Sequence, residues 1–273
     1  MGGEVAREGV RTASHGGTGR KVAARTGLVA RGVLYVLVGV LAVRIAFGEG
    51  GQEADRQGAL QELAGKPFGS ALVWAVGIGL VCMMLWRLSE AVFGATGPDG
   101  GKTSKRLASA GRAVFYGVVA FSVLSFATGS GGQSGDQQSR DMTSKAMELP
   151  GGPWWVGAVG VAIAVAGVVI AVQAARRTFR KHLAMQGVSE AVRKGVEVLG
   201  VTGGVARGTV FAAAGGFVVY AAVRFDPSEA KGIDDTLRSL TQTPAGPWLL
   251  VAVAVGLVLF GVFSFAMARW RRV

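Results

Sequence analysis

The sequence predicts an all-α integral membrane protein with six transmembrane helices, grouped as three tandem helical hairpins of parallel orientation. Three observations carry this. Six mostly apolar stretches recur along the 273-residue chain, each reaching the ~20 residues that a bilayer crossing needs. Lys and Arg alternate between rich and poor from one connection to the next. One set of short motifs appears three times at matched offsets.

Composition agrees. Half of the residues are apolar and 17% are charged, below the ~25% of a soluble domain. Gly supplies 44 residues, roughly twice the ~7% of average usage. The hydrophobicity excludes a disordered chain. Cys82 is the single cysteine and His15 and His182 the only histidines, so a disulfide scaffold and Cys/His metal or haem sites are excluded.

The predicted spans run over Thr26–Phe47, Phe68–Gly94, Leu107–Thr128, Pro153–Ala175, Gly203–Val223 and Gly246–Arg269. They are apolar all round, as lipid-facing helices should be. Strands would need about ten alternating residues, and these runs are twice that length without alternation. The segment before the first span, Met1–Gly19, is polar and Gly-rich. It lacks the short apolar core of a signal peptide, and Ala6 stands where a myristoylation motif has Ser or Thr. It reads as a flexible tail. The 176–202 connection carries Val188, Ala191, Val192 and Val196 at helical spacing, with Ser189 as a cap. This predicts an amphipathic helix on the membrane surface.

The chain thus divides into a cytoplasmic tail (1–24), a first repeat (25–94), a linker (95–105), a second repeat (106–177), a linker with the amphipathic helix (178–200) and a third repeat (201–273). Basic residues set the orientation. Arg7, Arg11, Arg20, Lys21 and Arg25 precede the first span, and Lys102, Lys105 and Arg106 lie in the 95–106 connection. Six Lys or Arg lie between 176 and 202, and Arg269, Arg271 and Arg272 end the chain. The other three connections hold only two or three each (Arg56 and Lys66, Arg140 and Lys145, and Lys231 and Arg238 with Arg224 at the span end) and eleven of the seventeen acidic residues. Both termini are therefore expected in the cytoplasm, with the chain in the plasma membrane. The +12 net charge then marks topology and attraction to anionic lipid, not nucleic-acid binding. Trp154, Trp155 and Trp248 at outer span ends, with Trp86 and Trp270 near inner ends, read as an interfacial belt.

The repeats align on an arginine inside each odd-numbered span. Arg31-Gly32-Val33-Leu34-Tyr35, Arg112-Ala113-Val114-Phe115-Tyr116 and Arg207-Gly208-Thr209-Val210-Phe211 correspond, and Gly39, Ala120 and Gly215 follow eight residues after the arginines. Pro67, Pro153 and Pro247 open the even-numbered spans, each followed by an aromatic. Twelve residues before each Pro stands Asp55, Asp141 or Asp235. Each unit holds two crossings, so all copies share one orientation. A pseudo-threefold axis along the membrane normal satisfies this pattern, and so does a linear row of hairpins.

These motifs, recurring over about residues 25–270, resemble the bacterial membrane family called domain of unknown function 1206. The resemblance implies three two-helix membrane repeats and no assigned activity. Ala113 after Arg112 and Phe211 in place of Tyr depart from the pattern.

Arg31, Arg112 and Arg207 lie five to six residues, roughly 8 Å, inside their spans. Intramembrane charges are expensive and mark functional candidates. Converging on an axis, three guanidiniums would bind an anion or a lipid headgroup. Lying apart, they would snorkel to the interface. Asp55, Asp141 and Asp235 read either as N-caps of short outer helices or as a carboxylate ring at an outer vestibule. Gly204-x-x-x-Gly208 has the spacing of close helix approach. Gly101-Lys102-Thr103 lacks the first Gly and the strand of a phosphate-binding loop, and no nucleophile–base pair is visible. No cofactor or metal is implied. The expectation is a non-enzymatic structural or interaction protein that binds membrane lipids, anionic at the cytoplasmic face, or a membrane or cytoplasmic protein partner. The alternative is a transporter or channel for an anionic solute or lipid that uses the arginines.

Overall fold

The computed structural model describes residues 2–47, 53–94, 101–129, 135–240 and 246–271, of which 2–17 and 135 by backbone alone. Nine α-helices are described: α1 (Gly2–Ala46), α2 (Arg56–Ala64), α3 (Gly69–Phe93), α4 (Thr103–Ala127), α5 (Gly135–Met147), α6 (Gly152–Ala175), α7 (Glu190–Arg224), α8 (Ile233–Leu240) and α9 (Gly246–Trp270). No strand occurs among the described residues; Leu183 and Arg271 form one isolated bridge. Six helices (α1, α3, α4, α6, α7, α9) are long and apolar enough to cross a membrane, which makes this a multi-pass membrane protein.

Two elements differ from the sequence expectation. α1 begins at Gly2, so helix continues through the stretch read as a flexible tail; no proline interrupts residues 2–46. The expected amphipathic helix is not a separate in-plane element. It forms the first turns of the 35-residue α7, because nothing between Ser189 and the span breaks the helix. Ser189 sits at the N-cap position without a side-chain capping bond. Val196 is buried and Val192 exposed, so only part of the apolar stripe packs on protein.

The long helices pack in a definite order. The most extensive interfaces are α6 with α7, α1 with α9 and α3 with α4; α7 with α9 and α1 with α3 follow. The tightest pairs therefore join the second helix of one repeat to the first helix of the next. Glycine permits this. A Cβ at Gly208 would lie 2.6 Å from the Ala171 nitrogen, and one at Gly167 would lie 2.7 Å from the Gly208 oxygen. The backbones of α6 and α7 touch there, as the small-residue spacing predicts. Gly39 and Gly261 play the same part between α1 and α9.

The short helices α2, α5 and α8 gather at one end of the bundle, packed on the long helices and, for α5 and α8, on each other. We call this the cap end. At the opposite, basic end, Ala184 donates its N–H to the Trp270 carbonyl at 2.8 Å. Trp86 lies here too, and it is not part of an interfacial belt. It is 2% exposed, between the guanidiniums of Arg87 (4.2 Å from the ring) and Arg271 (4.7 Å). Arg87 is in turn paired with buried Glu90 at 2.6 Å. Trp154, Trp155 and Trp248 do stand out from the protein surface.

Candidate functional site

The Arg-x-x-x-Tyr spacing places arginine and aromatic on one helix face, since residues four apart are stacked neighbours. On α1 this pairs Arg31 with Tyr35, and on α7 Arg207 with Phe211. The structure turns both faces inward. Arg31 is 6% exposed, and its Nε donates to Ser264 Oγ of α9 at 3.2 Å. Ser264 Oγ donates onward to the Phe260 carbonyl at 2.9 Å. The Phe260 ring lies between the two arginines, 5.1 Å from the Arg31 guanidinium and 5.0 Å from that of Arg207. Arg207 also faces the rings of Tyr35 and Phe211. Tyr35 packs edge-on against Phe260, centroids 4.8 Å apart.

Arginine and tyrosine also meet between repeats. The Tyr116 hydroxyl of the second repeat stands beside Arg31 of the first. The Tyr35 hydroxyl of the first stands beside Arg207 of the third. The corresponding third link, Arg112 to position 211, lacks its hydroxyl because Phe211 is there. Arg112 itself is exposed and does not line the cavity that the other two share. Arg31 thus lies inside the protein beside Arg207, while Arg112 stands outside the cavity that they share.

That cavity, of about 120 Å³, extends from the Arg31–Arg207 layer up to the cap end, where Arg56 of α2 and Ile233 of α8 line it. Its walls are otherwise mostly apolar, with no carboxylate or imidazole among the lining residues. Three guanidinium nitrogens on its lining arginines are buried without a hydrogen-bond acceptor: Arg31 Nη2, Arg207 Nε and Arg56 Nε. Buried cations are ordinarily paired. Here aromatic faces take that place, worth about 0.5–2 kcal/mol each, and they leave N–H groups free to donate. The arrangement holds fixed positive charge in an apolar chamber, with N–H donors that no protein acceptor takes up. Sequence reading named Arg31 and Arg207 but missed Phe260, Ser264 and Arg56. Only the Phe260-x-x-x-Ser264 spacing hints that those two share a face.

The predicted aspartates separate. Asp55 caps α2, accepting from the Gly58 N–H at 2.9 Å. Asp141 lies inside α5 and Asp235 in the first turn of α8, so neither is the cap expected. Both helices begin upstream of the position that the proline offset indicates. The acidic meeting point is instead Asp136, Asp234 and Asp235, whose oxygens come within 4.8 Å of one another. Asp234 accepts from the Ala54 N–H at 2.6 Å and from Arg238 at 2.6 Å, and Arg140 pairs with Asp235. Asp136 Oδ2 accepts from the Asp235 N–H at 3.1 Å, while Oδ1 is buried without a donor. Burial, then repulsion from Asp235 and Asp234, pushes the Asp136 carboxyl up to about 7. Two guanidiniums already neutralise Asp234 and Asp235, so the cluster is an acidic joint between α5, α8 and the segment before α2.

A family model described as "Domain of Unknown Function (DUF1206)" matches residues 26–94, 107–177 and 202–271. These are the three repeats read from the motifs. The chain is 30% identical over 242 residues to "Uncharacterized protein YxxB" of Bacillus subtilis (strain 168), which covers 88% of this chain and 87% of that protein. No solved structure matches the chain.

Proposed function

The chain belongs to the DUF1206 family, and on that premise we propose that it is a non-enzymatic plasma-membrane protein that binds the anionic headgroup of a membrane lipid at Arg31 and Arg207. One observation carries this reading. Two guanidiniums share one apolar chamber with no lining carboxylate, and each keeps a buried, unpaired nitrogen. A phosphate or carboxylate would accept those N–H groups and neutralise the charge.

Both termini and the basic end face the cytoplasm in this reading, following the Lys and Arg distribution, and the cap end faces outward. The three repeats close around a common axis. The order of helix packing and the two inter-repeat Arg–Tyr pairs support that closure. A transport pathway for an anionic solute or lipid is the second reading, favoured by one feature: the cavity continues from Arg31 to Arg56 at the cap end.

The test is lipid retention. Purified protein and the double variant Arg31→Gln/Arg207→Gln are compared by native mass spectrometry with phosphatidylglycerol and phosphatidylcholine. Losing two charge-assisted contacts should weaken phosphatidylglycerol at least about tenfold, since 1.4 kcal/mol suffices for that, and leave phosphatidylcholine unchanged. Equal retention by both proteins overturns the site. Single cysteines at 31 and 207 in a Cys82→Ala background report access. Rapid labelling by an impermeant thiol reagent from both membrane faces, in alternation, would favour transport.

A further inference from the structure

Among the described residues, packed elements bound the cavity around most of its circumference, and the side they leave unpacked points to where its ligand comes from. At the basic end Arg31 is tied to Ser264, Phe179 packs edge-on against Phe263 at 4.9 Å, and Trp86 is stacked between Arg87 and Arg271. At the cap end Arg56 Nη2 donates to Gln138 Oε1 at 3.4 Å, and the Ala54–Asp234 bond ties the segment before α2 to α8. Around the side, α3–α4, α1–α3, α1–α9, α7–α9 and α6–α7 are all packed interfaces. α4 and α6, the two spans of the second repeat, have no comparable interface among the described residues. α4 leans on α3 and α6 on α7.

The seam runs to the cavity itself. α6 contributes no lining residue, whereas Phe115 of α4 lines the cavity and is also 48% exposed. Phe211 of α7, the position where the repeat pattern has tyrosine, lines the same cavity. The Arg–Tyr link absent from the bundle is the one that would close this side. The exposed surface of the two flanking helices is apolar: Phe121 on α4 and Val161 and Val165 on α6 are more than half exposed. A hydrated anion would lose its water along that route, while acyl chains are at home there. Arg31 lies fifteen residues, about 22 Å, below the cap-side end of α1 at Ala46. In a ~30 Å hydrocarbon core this places it within one leaflet's depth of the basic face.

We propose that the α4–α6 seam is a lateral portal through which a lipid of that leaflet slides its phosphate or carboxylate head to Arg31 and Arg207 while its acyl chains stay in the bilayer. This rests on the lipid-headgroup reading above and adds the route: sideways entry from the bilayer between α4 and α6.

The experiment is site-specific photocrosslinking in the full-length protein. Benzoylphenylalanine replaces Phe115 in one variant and Val114, exposed but not lining the cavity, in another. Both are reconstituted in phosphatidylcholine vesicles with a minor fraction of phosphatidylglycerol, irradiated, and their adducts identified by mass. Position 115 should capture phosphatidylglycerol about tenfold above its share of the vesicle, position 114 in proportion to that share, and millimolar inorganic phosphate should change neither. The comparison of 115 with 114 needs no arginine variant and so survives if Arg31→Gln misfolds.

Adducts at 115 that follow the vesicle composition overturn the portal. If phosphatidylglycerol retention still falls in Arg31→Gln/Arg207→Gln, the anion site then stands and only its route is wrong. Suppression at 115 by inorganic phosphate makes the ligand a soluble anion and also overturns the portal. So does a protein–protein adduct at 115, which would show a second copy covering the seam.

Discussion

Asp136 offers the sharpest single-residue experiment. Its carboxyl titrates near 7 in the folded protein against an ordinary value of 3.8. A raised carboxylate pKa means that folding favours the protonated form. Below about pH 4 both states are neutral and the group has no net effect. As pH rises toward 7 the unfolded chain ionises freely while the folded one holds its proton, and stability falls. Each pH unit in that window is worth up to about 1.4 kcal/mol. Integrated between pH 5 and pH 8, the loss is roughly 2–3 kcal/mol, or about 5–10 °C in midpoint for a chain of this size. The variant Asp136→Asn keeps a neutral side chain of nearly the same shape, and its amide can donate into the Asp234–Asp235 oxygens. Its expected signature is a thermal midpoint above wild type at pH 8, a gap that narrows by that amount at pH 5 and closes only below the unfolded-state pKa of about 3.8. The assay is thermal unfolding in one detergent at fixed ionic strength across that range. If the two pH profiles run parallel, Asp136 is ionised in the fold at all these pH values and the account of the acidic joint is wrong.

Three further outcomes follow from the packing. Gly208→Val should destabilise the α6–α7 seam by about 1–3 kcal/mol or more, because its Cβ meets the Ala171 backbone. Gly216→Ala, with open space at its Cβ, should be neutral in the same thermal assay. Asp55→Ala should cost about 1–2 kcal/mol through the lost Gly58 capping bond, while Asp141→Ala, inside α5, should change the midpoint little; equal losses would contradict the cap assignment. Trp86→Ala should cost about 3–5 kcal/mol and Trp270→Ala, only half-buried, clearly less.

Much of the fold was legible from one residue after another. Span existence follows from the length and uniformity of apolar runs, because a backbone in hydrocarbon must satisfy its own hydrogen bonds and only a helix does so within one segment. The repeat is legible because duplication preserves offsets. Span starts at Gly69, Gly152 and Gly246 fall within a residue of expectation, marked by the prolines. The start of α7 was missed by thirteen residues, since an amphipathic stretch and a following span join without a break whenever no Pro or αL residue separates them. The aspartate alignment failed for Asp141 because a fixed offset from proline carries no information about where a helix begins.

By itself, then, the sequence determines a six-span, three-repeat membrane protein and which arginines sit within its spans, since those properties are local: hydropathy, length and spacing. Which arginines share a chamber was decided only by tertiary structure. Arg31, Arg112 and Arg207 are equivalent in the repeat, yet two face one another across Phe260 and the third faces out. The difference arises from which helices pack together, and that depends on contacts between residues more than two hundred positions apart, such as Arg31 with Ser264. A repeated motif specifies a position on a helix; only the neighbour that covers the position gives it a pocket, a partner or the lipid.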